Sequence, residues 1–226
     1  MSLLNTNSQF AGVYPSGGLP ELNVAATAAT THALGPGLRS VVWVQGCPFH
    51  CPGCIAPDWI PTVKARRVRP ELLAEELVQN QGICGLTFSG GEPMLQAQGL
   101  AKLARLARQR RPDLSLICYT GFTLEKLLTS PGMAGVIDLI EECDVLIDGM
   151  YIAALNDNRG LRGSSNQRIL HLTDRLAGFD FETGPRRVEV TLQAEIAEVV
   201  GIPPRGFEPL FHEAVEKAQT LVGGLL

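Results

Sequence analysis

The chain predicts an α/β fold, a partial β/α barrel with an open side, finished by a C-terminal strand pair and helix. Three observations carry that expectation. Apolar strand-like runs alternate with helical runs, which implies parallel βαβ units of a single hand. Each run meets glycine or a polar residue at its carboxyl end, the edge where α/β folds build their sites. The β–α units are too few for a closed eight-stranded barrel.

At 226 residues the chain is long enough for one substantial domain. A content of 45% hydrophobic and 19% charged residues describes an ordinary soluble globular protein. The net charge of −4 gives no basic surface for nucleic acid. No apolar stretch approaches the span of a bilayer, so no membrane partner is expected. The opening Met1-Ser2-Leu3-Leu4-Asn5-Thr6 lacks the basic-then-apolar order of a secretory signal. Six cysteines without a disulfide-like pattern fit a reducing, cytoplasmic compartment.

Residues 1–20 are rich in Ser, Asn, Gly and Pro, and predict a flexible N-terminal extension before a single domain over 21–226. Leu22 to Ala28 reads as a weak first strand, because alanine is a poor strand former. Leu34-Gly35-Pro36-Gly37-Leu38-Arg39 is a turn. The apolar run 40–45 is a strand that delivers a cysteine-rich loop at its carboxyl end. Lys64, Arg66, Arg67 and Arg69 read as a solvated basic face. A helix begins at Pro70, with proline and Glu71 in its first turn. Gly85 to Ser89 is a short strand ending in Gly90-Gly91-Glu92-Pro93. A helix over about 95–110 presents Leu100, Leu103, Ala104, Leu106 and Ala107 on one face. The strand Leu114 to Tyr119 ends in Thr120-Gly121, and a helical stretch leads to a strand over Cys143 to Ile147, ending in Asp148-Gly149. Arg187 to Gln193 and Ala197 to Gly201 read as a closing strand pair, and Pro209 to Val222 as the final helix.

Cys47, Cys51 and Cys54 stand in a C-x₃-C-x₂-C spacing on a loop bent by Pro48, Pro52 and Gly53. Three thiolates this close suit one corner of an iron–sulfur cubane, with one iron left open, or a structural zinc site with His50 as fourth ligand. Zinc sites favour a second ligand pair further on, and no second C-x₂-C or H-x₃-H occurs here. Cys84, Cys118 and Cys143 are isolated and read as small buried hydrophobes. Gly90-Gly91-Glu92 has a plain reading as a strand-to-helix turn, with Pro93 starting the helix.

The ordered set Gly35-Pro36-Gly37-Leu38-Arg39, Val44 through Cys54, Phe88 through Pro93, Tyr119-Thr120-Gly121-Phe122, Asp144 through Gly149 and Leu161 through Arg168 resembles the radical S-adenosylmethionine (SAM) superfamily. Within it, the chain is similar to the glycyl-radical-enzyme activases of the anaerobic ribonucleotide reductase type. The resemblance spans about 34–170, with closing elements over 186–226. Ile55-Ala56 after the third cysteine, and Leu34 before the glycine-rich turn, depart from the usual residues of that type.

The resemblance implies an enzyme in which Cys47, Cys51 and Cys54 hold a [4Fe–4S] cluster and the fourth iron is chelated by the amino and carboxylate groups of SAM. One electron then cleaves the sulfonium to give a 5′-deoxyadenosyl radical. That radical takes hydrogen from a glycine of a glycyl-radical enzyme; a peptide or small metabolite is the alternative substrate. It further implies that Gly90, Gly91 and Glu92 receive the methionine amino group, and that Gly53 and Ile55 line the adenine side. Thr120 and Asp148 would lie near the ribose and polar groups, and Arg162 and Asn166 near the methionine carboxylate, or would order their loop. The basic run at 64–69 is then a dock for an acidic flavodoxin or ferredoxin as electron donor.

Overall fold

The computed structural model describes residues 21–129, 132–193, 196–207 and 209–215. Among them the strands are β1 (Leu22–Thr31), β2 (Arg39–Val44), β3 (Arg66–Val68), β4 (Gly85–Gly90), β5 (Ser115–Thr120), β6 (Val145–Asp148), β7 (Arg168–His171), β8 (Val188–Gln193) and β9 (Ile196–Gly201). The α-helices are α1 (Pro70–Leu77), α2 (Ala97–Arg110), α3 (Leu124–Thr129) and α4 (Val136–Glu142). The first seven strands form one mixed sheet in the order β3-β1-β2-β4-β5-β6-β7, and β8 and β9 pair separately.

The middle of the sheet follows from its residues. Strands β2, β4, β5 and β6 run parallel, and such strands are covered on both faces, which selects apolar runs over alternation. Every residue of β2 is buried. On one face α2 packs between α1 and α4. Its Leu100, Leu103, Ala104 and Ala107 meet Phe88, Leu116 and Leu146 from the sheet in one core. On the other face Ile117, Val145 and Ile147 are covered by Leu161 and Phe181. Beside them Ala28, Val41 and Trp43 are covered by Val200 of β9.

Arg39 opens β2 on that second face and is wholly buried. Its guanidinium donates to Thr87 Oγ1 (2.8 Å), Ser115 Oγ (2.9 Å) and the carbonyls of Leu86 (2.5 Å), Ser115 (3.2 Å) and Pro36 (3.3 Å). These bonds tie β2, β4 and β5 together at their amino ends. Burial pulls its pKa down to about 10, since a desolvated cation is disfavoured.

One expectation needs correction: Cys84, read as a small buried hydrophobe, is exposed, whereas Cys118 and Cys143 are buried. The basic run is a solvated face as expected, with Lys64, Arg66 and Arg69 exposed, and its Arg66 to Val68 also form an edge strand antiparallel to β1. Strand β7, for which the sequence carries no expectation, pairs antiparallel with β6. The C-terminal strands pair with each other as expected but do not extend the main sheet, and among the described residues the main sheet is open. Residues 1–20 and the helix expected beyond 215 lie outside the described residues; residues 209–215 are helical. Among the described residues no helix is long and apolar enough to cross a membrane.

Candidate functional site

The carboxyl end of β2 turns directly into the cysteine loop, and the main chain fixes its entry. Gly46 N–H donates to Trp59 O (2.9 Å) and Cys47 N–H to Ile60 O (2.9 Å), so the loop leaves and returns at one place. Gln45 Nε2 bridges the carbonyls of Asp58 (3.1 Å) and Pro61 (2.8 Å) beneath it. Cys54 N–H closes a turn on Cys51 O at 3.1 Å.

The strand end of β4 lies flush against this loop. Gly91 N–H donates to Val44 O (2.7 Å) and Glu92 N–H to Gly46 O (2.8 Å). A Cβ on Gly91 would stand 2.3 Å from Gly46 O, and one on Gly90, at φ +99°, would stand 2.6 Å from Val44 N. The two glycines therefore let the β4 turn touch the backbone that carries the first cysteine. Phe49 of the loop packs edge-on against Phe122 after β5, with ring centroids 4.8 Å apart. On the far side, a Cβ on Gly53 would lie 3.5 Å from Ala153 Cβ. The four strand ends, β2, β4, β5 and β6, thus converge on one mouth.

All three loop cysteines are half-buried. Burial pushes the Cys47 thiol up to about 12, against the N–H of Phe49. Burial also raises the Cys51 thiol, opposed by the main-chain N–H of Tyr151. Metal ligation requires the thiolate, so loading such a site releases protons. The donor set is thiol only, since His50 is exposed, and soft thiolates suit zinc or iron–sulfur centres. Among the described residues no three His, Cys, Asp or Glu side chains converge tightly enough for a single ion. Three thiolates without a fourth protein donor suit a cubane, which takes each thiolate on a separate iron.

Several polar residues anticipated at the mouth have protein partners instead. Glu92 is buried, and its carboxylate accepts from Met94 N (2.9 Å), Thr120 Oγ1 (2.8 Å) and Gly121 N (2.8 Å). Desolvation raises its pKa to about 7 against those three donors. It braces the strand ends of β4 and β5, and Thr120 is spent in the same brace. Asp148 is fully buried, accepts from Leu124 N (2.8 Å), and pairs with Arg168 (2.9 and 2.5 Å). Asn166 donates to Met150 O (2.8 Å), which orders its own loop. Arg162 faces Asp157 at 3.4 Å. Gly53 and Ile55 are exposed at the rim. Gly90 and Gly91 stand beside the cysteine loop. Sequence reasoning missed Phe49, Phe122 and Tyr151, which seat the loop. No spacing rule marks them, because their role arises from contacts between separate strand ends.

Residues 33–170 match the protein family described as a 4Fe-4S single cluster domain. The anaerobic ribonucleoside-triphosphate reductase-activating protein of Escherichia coli strain K12 is 30% identical over 147 residues, which are 61% of this chain and 91% of that protein. Its counterpart in Enterobacteria phage T4 is 28% identical over 149 residues, 62% of this chain and 88% of that protein. The pyruvate formate-lyase-activating enzyme of Clostridium pasteurianum is 33% identical over a shorter stretch of 81 residues, 34% of each chain. The match runs from the turn before β2 through β7, the same stretch whose strand ends build the mouth. The chain therefore belongs to the 4Fe–4S single-cluster family, among the radical SAM activases of glycyl-radical enzymes.

Proposed function

We propose that this protein is an activase that takes a hydrogen atom from a glycine of a glycyl-radical enzyme, of the anaerobic ribonucleotide reductase type. The single observation that carries the reading is the all-thiol Cys47, Cys51 and Cys54 loop seated on the Gly90-Gly91-Glu92 turn, within a region matching the reductase activators over nine-tenths of one relative. The relatives are named as activators of other enzymes, so the reading as a peptide- or metabolite-modifying enzyme has no support of its own.

The three cysteines hold the [4Fe–4S] cluster. When bound, cluster and SAM together supply a one-electron cleavage that yields the hydrogen-abstracting carbon radical. The protein's task is positioning rather than acid–base catalysis. The β4 turn offers its main chain at Gly90 and Gly91 to the amino group of SAM, while the Glu92 carboxylate keeps that turn fixed from below. Gly53 and Ile55 flank the adenine side. Thr120 and Asp148 act through the loops they brace, and Arg162 and Asn166 order the 161–167 loop facing the carboxylate of SAM.

The rim suits a protein substrate. Ile55, Met150, Ile152 and Leu155 are exposed on two loops that touch where Gly53 meets Ala153, an apolar edge for a partner's loop to cover. Behind the cysteine loop, a cleft of about 460 Å³ is lined by Thr62, Lys64 and Arg67 among others. We assign it to the flavodoxin or ferredoxin donor. We also read the open sheet as the partial β/α barrel of the radical SAM type, in a single domain over 21–226, and take its compartment to be the cytoplasm.

Anaerobic reconstitution tests the assignment. Cys51→Ala is expected to abolish 5′-deoxyadenosine formation and lower bound iron and sulfide. Normal turnover by that variant, or stoichiometric zinc in anaerobically purified protein, overturns the reading.

A further inference from the structure

Residues 171–226 lie beyond the family match, yet two arginines from this part reach back to the mouth. Arg186 precedes β8. It donates to Arg162 O (2.7 Å), Gly163 O (3.1 Å) and Pro203 O (3.3 Å). Arg205 follows β9. Its guanidinium donates to Ala153 O, and its main-chain N–H donates to Asn158 Oδ1 (2.7 Å).

Ala153, Arg162 and Gly163 belong to the loops that floor the mouth, while Pro203 lies on the segment after β9. Ala153 is the residue that meets Gly53 of the cysteine loop, and a Cβ on Gly163 would stand 2.9 Å from the ring of Tyr151. Tyr151 in turn bears on Cys51 through its main-chain N–H. Each arginine is thus one loop removed from a cysteine ligand.

Arg186 is an expensive way to join two loops. Among the described residues it forms no ion pair, and its Nε and that of Arg162 are the only buried side-chain N or O atoms without a hydrogen-bond partner. Desolvation lowers its pKa from the usual arginine value, despite Asp157, Tyr151 and Tyr119 nearby. Unsatisfied buried donors and an unpaired cation work against stability. Departures of this kind concentrate where function sets the geometry.

We propose that the β8–β9 hairpin is a working part of the site, with Arg186 and Arg205 as positioning residues that set the 149–155 and 161–167 loops against the cysteine loop. The inference rests on the activase reading above. A planar fork spanning three carbonyls does what a single ammonium cannot, so lysine at 186 is a poor replacement.

The test uses the full chain, reconstituted anaerobically, as wild type, Arg186→Gln, Arg186→Lys and Arg205→Gln. Iron and sulfide content and the thermal midpoint are measured first. Next come the EPR spectrum of the reduced cluster with and without SAM, and partner-free 5′-deoxyadenosine formation with dithionite. The expected result is a full cluster, a SAM-induced EPR change that is weakened or shifted, and a KM for SAM raised roughly tenfold in both glutamine variants. Arg186→Lys is expected to behave as Arg186→Gln. A lowered thermal midpoint with wild-type EPR response and KM makes the hairpin merely structural and overturns the proposal. Should Arg186→Gln not fold, the exposed Arg205→Gln decides alone. Wild type that neither binds nor cleaves SAM fails the activase reading instead, a separate outcome.

Discussion

Glu92 is pulled two ways. Three donors face its carboxylate and favour the anion, whereas burial disfavours it, and burial prevails, with a pKa of about 7 against an ordinary 4.5. A carboxyl raised on folding binds its proton more tightly in the native state. Its contribution to stability is therefore complete below about pH 4.5 and is lost as pH rises through 7. The shift corresponds to about 3 kcal/mol at most. Chemical denaturation of wild type and Glu92→Gln between pH 4.5 and 8 checks this. The gap between the two should move against wild type as pH rises, and a constant gap refutes it. The sequence marked Glu92, Thr120 and Asp148 as important without saying which way they turn. A polar residue at a strand end serves equally as a ligand or as a brace. The choice depends on donors far along the chain, such as Gly121 for Glu92 and Arg168 for Asp148.

At the scale of elements, the meeting of β4 with the cysteine loop is the contact least able to yield. Gly91→Ala places a methyl group 2.3 Å from Gly46 O, which forces a backbone shift at a cost of about 1–3 kcal/mol. A lowered thermal midpoint together with a lowered cluster content is expected, and loss of neither contradicts the close approach. A second joint lies at Asp144, which is buried. It accepts from Arg108 Nη2 (2.7 Å), Leu116 N (2.7 Å) and Thr173 Oγ1 (2.6 Å). Asp144→Ala leaves the buried Leu116 N–H and the Thr173 hydroxyl without their acceptor, while Arg108 keeps Glu142 (3.2 Å), and should cost about 3 kcal/mol in urea unfolding; a change under about 1 kcal/mol would refute that estimate. The strands β2, β4, β5 and β6 were legible because parallel pairing demands apolar residues on both faces. Strands β3 and β7 were not, because short edge strands rich in arginine carry no such pattern. What they pair with is decided by β1 and β6 rather than by their own residues.

For the whole molecule, the basic run has a divided role. Arg66 pairs with Glu76 at 2.5 Å and Arg67 with Glu21 at 3.8 Å, while Lys64 and Arg69 make no ion pair within the described residues. Reversing only Lys64 and Arg69 to glutamate spares the fold. It should slow cluster reduction by an acidic protein donor several-fold at low salt while leaving dithionite reduction unchanged. Equal rates with both reductants would remove the cleft from the electron route. The sheet's two outermost strands are only three and four residues long, and both carry arginine. Bare sheet margins normally recruit neighbouring chains into ladders, and stubby borders carrying charged side chains refuse that pairing. An unclosed sheet can in this way persist at high concentration without polymerising.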